Sequence, residues 1–431
     1  MPNKSLLTVN IKACGYSDGF ILRDIYFTLS EGEVLLITGR SGSGKTTLIR
    51  AITGTIEAAG GFIDGEIAID GVDLVEYKPW EVYSLISYIP QEPWNAILAH
   101  TVYAEICHSL ALNGINCVEA DFNPLGVSKL MDRLTYTLSA GETHRVLWLQ
   151  ALIRNTKLLI LDEPLIYLDQ EARRIVKHFV KIAQHKENMG IIIADHDPFQ
   201  WGFIDPKTII LDEGRIRYIG EWRSDLFTPM EFHAEKKRVE KGVLVRFRNV
   251  WFRYPGGDYV IKGFTDSFRR GLLTCIKGPN GSGKSTLLKI AAGALKPSRG
   301  IVERFGSTIY IPENPLLFFT MPTPREELLL SARGDENRVN DIAEKFNIKH
   351  VLDRPLSKLS SGERRRIALA SAYLAGYDGY LIDEPTGGLD IDNAKAVIDV
   401  IESLVAEEKA IVLATHDETI SKLADYEVQL T

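Results

Sequence analysis

The same eight-residue pattern, rich in glycine and ending in a lysine and a hydroxyl residue, occurs twice in this 431-residue chain. The first copy reads Gly-Arg-Ser-Gly-Ser-Gly-Lys-Thr at 39–46, and the second reads Gly-Pro-Asn-Gly-Ser-Gly-Lys-Ser at 278–285. Glycines at these positions let the backbone curl until successive N–H groups point at one anion, and the lysine adds a positive charge. The chain is therefore expected to hold two phosphate-binding loops, each opening a helix.

The repeat extends well beyond the two loops. Lys45 and Lys284 are 239 residues apart, whereas Asp162 and Asp383, which end two later apolar runs, are 221 residues apart. Between these points the second copy has therefore lost a short segment and otherwise keeps its register. Such a register does not arise by chance, and it indicates two copies of one domain.

Short apolar runs, typical of buried strands, alternate with helix-like segments in both halves. The strand candidates are 34–38, 158–161 and 190–194 in the first half, and 272–276, 380–382 and 411–414 in the second. This alternation predicts an α/β fold of two tandem P-loop NTPase domains, each with a mostly parallel sheet flanked by helices.

The expected domains are residues 1–230 and 243–431, joined by a charged linker at 231–242. A surface helix closing the first domain is an equally good interpretation of that linker. The second domain is expected to be shortened, because nothing in it matches the hairpin-like stretch 212–220.

The composition narrows the function classes. A net charge of −7 argues against an extended nucleic-acid footprint, so no nucleic-acid partner is expected. Four scattered cysteines without a C-x-x-C pair argue against a zinc ribbon, an iron–sulfur cluster or a disulfide scaffold, and suit a reducing cytosol. No apolar stretch approaches the roughly 18 residues that span a bilayer. The protein is expected to be cytoplasmic.

The chemistry of the loops predicts ATP and Mg²⁺ as cofactors. Lys45 and Lys284 are placed to reach the β- and γ-phosphates, and Thr46 and Ser285 can offer a hydroxyl to Mg²⁺. The other nucleotide-binding candidates on the loops and the first helical turns are Gly39, Ser41, Gly42, Ser43, Gly44, Thr47, Gly278, Asn280, Gly281, Ser282, Gly283 and Thr286.

An Asp-Glu-Pro sequence ends an apolar run in each half. Asp162 and Asp383 can hold the Mg²⁺ shell from the end of a strand, and the following Glu163 and Glu384 can polarise an attacking water. On its own Asp-Glu-Pro is a common strand-to-turn sequence. Its place some 100 to 120 residues after each phosphate loop favours the catalytic interpretation.

Leu-Ser-x-Gly-Glu precedes an apparent helix in each half, with Ser139 and Gly141 in the first and Ser360 and Gly362 in the second. A serine there is first of all a helix N-cap, but the same N–H groups can bind an anion. With this motif the chain resembles the ATP-binding cassette (ABC) family over nearly its whole length. The resemblance implies that each signature closes over the γ-phosphate held by the opposite cassette, and that each domain has an antiparallel β subdomain and a helical subdomain.

The resemblance also implies roles for residues that a spacing argument leaves open. His196 and His416 match the switch histidine that contacts the γ-phosphate, and Asp169 and Asp390 match the loop that crosses the interface between the two cassettes. Tyr16 and Tyr254 match the aromatic residue that stacks on adenine, although ordinary core packing also explains them. Gln91 and Glu313 match the loop residue on the metal and the attacking water. The family places glutamine there, so Glu313 departs from the pattern. The ATP site built around Lys45, site one, is therefore expected to hydrolyse ATP faster than the site built around Lys284, site two.

The region after Gln91 is similar to energy-coupling-factor (cobalt- and vitamin-type) transporter ATPases, with Thr101 and Glu105 in place and Ala96 departing from the pattern. The second half keeps Thr323 and Glu327. The resemblance implies ATP hydrolysis coupled to transmembrane transport, integral membrane partner subunits, and a peripheral location on the inner face of the cell membrane. A soluble twin-cassette ATPase acting on ribosomes is the alternative.

Apolar residues that follow Gln91 and Glu313 could form the grooves that receive helices of the membrane partner, or could be core of the helical subdomain. They are Trp94, Ile97, Leu98, Leu316, Phe318 and Phe319. The arginine run 364–366, after the second signature, is most simply interpreted as a solvated helix face.

Overall fold

The computed structural model describes residues 5–16, 19, 21–91, 93–138, 140–154, 156–166, 168, 170–184, 189–227, 238–279, 281–415 and 417–430. Contacts divide the chain into two compact units, Met1–Pro229 and Met230–Thr431. Of the proposed linker, residues 231–237 lie outside the described residues. Its last part contacts the second unit, where the Arg238 guanidinium donates to the Leu423 carbonyl at 2.8 Å.

The first unit is an α/β domain with two sheets. Its strands are β1 (Ser5–Tyr16), β2 (Ile21–Ser30), β3 (Val34–Thr38), β4 (Gly61–Ile69), β5 (Val72–Asp73), β6 (Ile86–Ile89), β7 (Leu158–Asp162), β8 (Gly190–Ala194), β9 (Lys207–Asp212) and β10 (Arg215–Glu221), and its α-helices are α1 (Lys45–Ile52), α2 (Pro79–Leu85), α3 (Val102–Ala111), α4 (Ala140–Arg154) and α5 (Gln170–Gln184). The larger sheet has the order β10-β9-β3-β8-β7-β6 and is parallel except for the β9–β10 pair.

The remaining strands of the first unit form an antiparallel sheet of order β2-β1-β4-β5. Helices α3 and α4 pack around a small core of their own that includes Val102, Ile106, Leu110 and Leu149, all fully buried. The unit therefore has the antiparallel β and helical subdomains that the resemblance implies.

The second unit repeats this plan. Its strands are β11 (Val243–Arg253), β12 (Tyr259–Arg269), β13 (Leu273–Lys277), β14 (Arg299–Arg304), β15 (Thr308–Ile311), β16 (Gly379–Asp383), β17 (Ala410–Ala414) and β18 (Tyr426–Gln429), and its α-helices are α6 (Lys284–Ala292), α7 (Pro324–Ser331), α8 (Glu336–Lys345), α9 (Ser361–Ala375), α10 (Ile391–Ala406) and α11 (Glu418–Ser421). A parallel sheet has the order β15-β16-β17-β13-β18, and an antiparallel sheet has the order β12-β11-β14.

The second unit lacks an internal segment that the first unit has. Between α6 and β15, in the continuously described range 281–415, β14 is followed directly by β15. The first unit has β5 and α2 at that point. The lost residues therefore come from the edge of the antiparallel sheet, away from the phosphate loop.

The burial of the central strands explains the continuous apolar runs in the sequence. Every residue of β3, β7, β8, β16 and β17 is buried. Strands of a parallel sheet that are covered on both faces need continuous apolar runs rather than alternation. The fold class predicted from those runs is confirmed.

Two of the four cysteines are paired, which the sequence analysis did not anticipate. Cys107 in α3 and Cys117 form a disulfide with their Cα atoms 5.1 Å apart, while Cys14 and Cys275 are free and buried. The bond joins α3 to the short 3-10 helix Cys117–Glu119 that follows it. None of the helices that the structure describes has the length and apolar character needed to cross a membrane.

Candidate active sites

The two phosphate loops have the same backbone geometry. Gly39, Gly42 and Gly44 have φ values of 148°, 78° and 106°, and the second loop repeats them with 157°, 84° and 96° at its corresponding glycines. A Cβ atom on Gly39 would lie 2.2 Å from the carbonyl oxygen of Leu211. Glycine is thus required in the first loop both for conformation and for close approach to the neighbouring strand.

Both loops are built to surround an anion. Lys45 and Lys284 are each only 7% exposed, and each Nζ donates to the first glycine carbonyl of its own loop at 2.7 Å. The hydroxyl oxygens of Ser43 and Ser282 are buried and have no hydrogen-bond partner among the residues that the structure describes. These donors and charges fit a bound phosphate chain. Asn280 of the second loop lies outside the described residues.

Asp162 and Asp383 stand at the carboxyl ends of β7 and β16, as predicted. The hydroxyl of Tyr88 donates to Asp162 at 3.2 Å, and that of Tyr310 donates to Asp383 at 3.0 Å. Burial and the neighbouring Glu163 raise the pKa of Asp162 to about 7. Burial also raises the pKa of Asp383, although a hydrogen bond with the Ser285 hydroxyl opposes this. The two proposed metal ligands of the second site are therefore in contact.

The two glutamates after these aspartates share an unusual backbone. Glu163 and Glu384 have φ values of 46° and 44°, in the left-handed region that non-glycine residues rarely adopt. Each is held there by its own N–H, which donates to Ala194 at 2.7 Å and to Ala414 at 2.8 Å. Strain of this kind costs of order 1–3 kcal/mol and persists where the surroundings impose it, often at functional sites.

In the first unit three sequence-predicted residues meet. The Gln91 side-chain amide donates to one carboxylate oxygen of Glu163 at 2.8 Å, and His196 Nδ1 lies 3.5 Å from the other. Asp195 lies 3.6 Å from the same imidazole nitrogen. Burial alone would lower the pKa of His196, but the carboxylates of Glu163 and Asp195 raise it to about 9. The imidazole is therefore charged at neutral pH.

In the second unit the same carboxylate has different neighbours. The Thr415 hydroxyl donates to Glu384 at 2.9 Å, whereas the first unit has Asp195 at that position of the repeat. His416 lies outside the described residues. Glu313, at the position of Gln91, has a carboxylate that cannot donate a hydrogen bond when ionised. The carboxylates of Glu163 and Glu384 thus have different hydrogen-bonding neighbours.

The second signature is a helix N-terminus with a full capping box. The Ser360 hydroxyl accepts from the Glu363 N–H, and the Glu363 side chain accepts from the Ser360 N–H. A Cβ atom on Gly362 would lie 2.9 Å from the side chain of Asn393, so glycine lets α9 and α10 pack closely. Asp390 caps α10 by accepting from the Asn393 N–H at 2.8 Å.

The first signature is only partly described. Gly141 lies in the first turn of α4. Ser139 and Asp169 lie outside the described residues.

Both predicted adenine-stacking tyrosines lie beside the helix of their own phosphate loop. Tyr16 accepts a hydrogen bond from Arg50 of α1 at 2.7 Å and packs against the core. The Tyr254 hydroxyl lies 3.1 Å from the Thr286 hydroxyl of α6, and its side chain is 42% exposed. Tyr254 thus keeps an exposed ring, while Tyr16 also has the packing role that the sequence left open.

The apolar residues beside Gln91 and Glu313 divide into two groups. Trp94 and Leu98 are 46% and 80% exposed, and Leu316 is 40% exposed. The neighbouring Leu317, which the sequence analysis did not single out, is 79% exposed. Ile97, Phe318 and Phe319 are partly buried and pack against the cores of their units, which agrees with the second of the two interpretations.

The arginine run after the second signature is not a solvated face, so that interpretation was wrong. Arg365 and Arg366 are only 2% and 6% exposed. Arg366 bonds to the Asn393 side chain, and Arg365 donates to the backbone carbonyls of Glu313 at 2.9 Å and Asp383 at 3.3 Å. The charges are buried because each finds oxygen acceptors within the fold.

A family model described as ABC transporter matches residues 22–166 and 261–387, one match in each unit. The chain belongs to the ABC transporter family. It is an ATP-binding protein and an ATPase, with a tandem pair of ABC domains.

Three similar proteins place this ABC ATPase among its relatives. A putative HMP/thiamine import ATP-binding protein of Bacillus subtilis (strain 168), YkoD, is 26% identical over 97% of this chain and 89% of its own length. A putative ABC transporter ATP-binding protein of Sulfurisphaera tokodaii is 30% identical, covering 90% of this chain and 88% of its own. A structure described as a model of ribosome-bound archaeal Pelota and ABCE1 has a TM-score of 0.71 at 21% identity, covering 97% of this chain and 76% of that one. An identity that low shows a shared fold alone.

Proposed function

We propose that this ABC ATPase drives an uptake transporter of the energy-coupling-factor type from the cytoplasmic face of the membrane, through integral membrane partner subunits. The observation that carries the proposal is an apolar surface beside each loop that follows β6 or β15. Patch one consists of Trp94 and Leu98, and patch two consists of Leu316 and Leu317. The similarity to a protein named for HMP/thiamine import supports the uptake direction.

Beside each patch, a threonine caps the next helix and a buried glutamate binds backbone N–H groups. Thr101 caps α3 and Thr323 caps α7 through their side chains. The buried carboxylate of Glu105 accepts from the Leu98 and Ala99 N–H groups at 2.8 and 2.7 Å. Glu327 accepts from the Thr320 and Met321 N–H groups at 2.8 and 3.0 Å. Glu105 thus holds the backbone of Leu98 itself, and Glu327 holds the residues that follow patch two. Exposed apolar clusters usually mark interaction sites.

In the proposed reaction the phosphate loops bind the triphosphate. Lys45 and Lys284 lie next to the loop carbonyls and are placed to exchange those bonds for the β- and γ-phosphates. Thr46 with Asp162, and Ser285 with Asp383, would hold Mg²⁺, and Gln91 and Glu313 complete the proposed ligand sets. Bound Mg²⁺ supplies neutralisation of the phosphate charge.

Glu163 and Glu384 are the proposed general bases. In site one, the Gln91 amide donates to one oxygen of the Glu163 carboxylate, and His196 Nδ1 lies 3.5 Å from the other. In site two, the Thr415 hydroxyl holds one oxygen of Glu384. His196 and His416 are proposed to contact the γ-phosphate. As the family resemblance implies, Ser360 and Gly362 would complete site one, and Ser139 and Gly141 would complete site two.

A fractionation experiment tests the transport proposal. Cells expressing tagged full-length chain are separated into membrane, ribosome and soluble fractions. We expect the wild type in the membrane fraction, and we expect Leu98→Asp and Leu317→Asp to lose membrane association while still binding ATP. Val75→Asp is the matched control, because Val75 is 82% exposed and lies outside both patches.

Recovery with ribosomes, unaffected by the patch substitutions, would replace this proposal with the ribosomal alternative. Equal loss of membrane association in Val75→Asp would show that any exposed charge disturbs the protein, and would remove the argument for the patches.

A further inference from the structure

In the first unit a hydrogen bond connects the loop after β6 to the residue after β7. In the second unit the loop after β15 and the end of β16 are connected in a different way. In the first unit the connection is the side chain of Gln91, which donates to Glu163 at 2.8 Å. A glutamate at the corresponding position, Glu313, cannot donate that hydrogen bond to Glu384 when both are ionised. An ionised Glu313 therefore cannot form the same hydrogen bond as Gln91.

Arg365 forms such a link through the backbone. One guanidinium nitrogen donates to the carbonyl of Glu313 at 2.9 Å, and the other donates to the carbonyl of Asp383 at 3.3 Å. The Glu313 carbonyl lies just after the end of β15, and the Asp383 carbonyl is at the end of β16. The two strands are adjacent and parallel, with Ile311 opposite Ile382. One rigid fork thus joins the carboxyl ends of both strands.

The position of Arg365 is well defined. It lies in the second turn of α9, whose first turn is the capped signature, and its side chain is 2% exposed. The preceding Arg364 also donates to backbone carbonyls, those of Leu356 and Ser357, at 2.9 and 2.8 Å. These two bonds of Arg364 are of the same type as those of Arg365, but their acceptors precede α9 and do not belong to β15 or β16.

The charge balance differs between the units in the same sense. The repeat places His144 at the position of Arg365, and the His144 ring is buried and stacks on Trp148 with centroids 5.4 Å apart. The first unit thus combines a neutral Gln91 with an imidazole. The second combines an additional carboxylate with a buried guanidinium.

We infer that Arg365 is a positioning residue of the second ATP site. It holds the Glu313 loop against the end of β16, in place of the Gln91–Glu163 bond. The inference deepens the proposed function, because it rests on Glu313 and Glu384 acting in hydrolysis.

The kinetic test uses the full-length chain carrying Glu163→Gln, so that the remaining turnover reports the second site. We expect Arg365→His to lower kcat by about 10-fold or more with KM changed by less than about 3-fold, because positioning acts on the transition state. Arg365→Lys keeps the charge but loses the fork, and it should retain more activity than Arg365→His.

The double substitution Glu313→Gln with Arg365→His recreates the pair of the first unit. We expect it to be faster than Arg365→His alone, because the new glutamine can donate to Glu384. If the effects of the two substitutions multiply instead, Arg365 and Glu313 act independently and the inference is overturned. Arg364→His is the control, and it should leave kcat within about 2-fold of the background.

A second measurement needs no turnover. Hydrogen exchange of the amides of Glu313, Asn314, Leu316 and Leu317 should be faster in Arg365→His than in the parent chain, and unchanged in Arg364→His. Equal exchange in all three would overturn the link that Arg365 is inferred to make. If adding Glu384→Gln to the Glu163→Gln background does not reduce turnover, the proposed catalytic role of Glu384 fails instead, while the exchange result still decides the link.

Discussion

The two glutamates proposed as general bases have a backbone conformation that glutamate disfavours. Glu163 has φ 46° and Glu384 has φ 44°. Glycine adopts this region without the Cβ penalty, which is about 1–2 kcal/mol for other residues. Neither the motif nor its spacing signals this conformation, because the strain is imposed by the N–H bonds to the neighbouring strand.

We predict that Glu163→Gly and Glu163→Gln both lose hydrolysis at site one but differ in stability. The glycine variant should have the higher free energy of unfolding, by about 1 kcal/mol, because it relieves the positive φ. Urea-induced unfolding of the full chain measures the difference. Equal stability of the two variants would show that the backbone is not strained at this residue.

His196 provides a pH-dependent contribution to stability. Its pKa rises from an ordinary 6.5 to about 9 in the folded chain, because the pull of Glu163 and Asp195 outweighs burial. A raised folded pKa gives stability that is complete below the unfolded pKa and is lost as the pH rises through the folded value. The free energy of unfolding of the wild type relative to His196→Gln should therefore fall between pH 6.5 and about 9. A difference that stays constant over this range would contradict the charged imidazole.

At the scale of elements, the loops before α3 and α7 depend on one buried carboxylate each. Glu105 is 5% exposed and accepts two backbone N–H groups. Removing it leaves buried donors without an acceptor, at a cost of about 1–3 kcal/mol. We predict that Glu105→Ala lowers the free energy of unfolding by that amount in thermal or urea denaturation. Substitution of the exposed Glu76 by alanine is the control and should change little.

How much of each element was predictable depended on what surrounds it. Strands β3 and β8 have the bounds that were predicted, since a strand covered on both faces must be apolar along its whole length. The burial of Arg365 was not predictable, because its acceptors are backbone carbonyls that carry no sequence signal. For the same reason, the motifs identified Gln91 and Glu163 but not the bond between them.

At the scale of the whole molecule, the two cassettes are copies of one domain in which the proposed catalytic glutamates have different neighbours. Site one has Gln91 and His196 on its glutamate, while site two has Thr415 there and Arg365 behind the loop. We predict that site one is the faster, so that Glu163→Gln reduces total ATP hydrolysis more than Glu384→Gln does. Steady-state phosphate release from the two variants measures this. Equal losses, or the reverse order, would contradict the proposed asymmetry.

The central claim is that one chain holds two ATP-hydrolysing sites whose bases are Glu163 and Glu384. The most direct test is the number of ATP molecules retained by the double variant Glu163→Gln/Glu384→Gln after removal of free nucleotide, together with its phosphate release. The account predicts two ATP per chain and hydrolysis lower by about 10²–10⁴-fold, the range expected for loss of a general base. Hydrolysis at the wild-type rate, or retention of a single ATP, would contradict it.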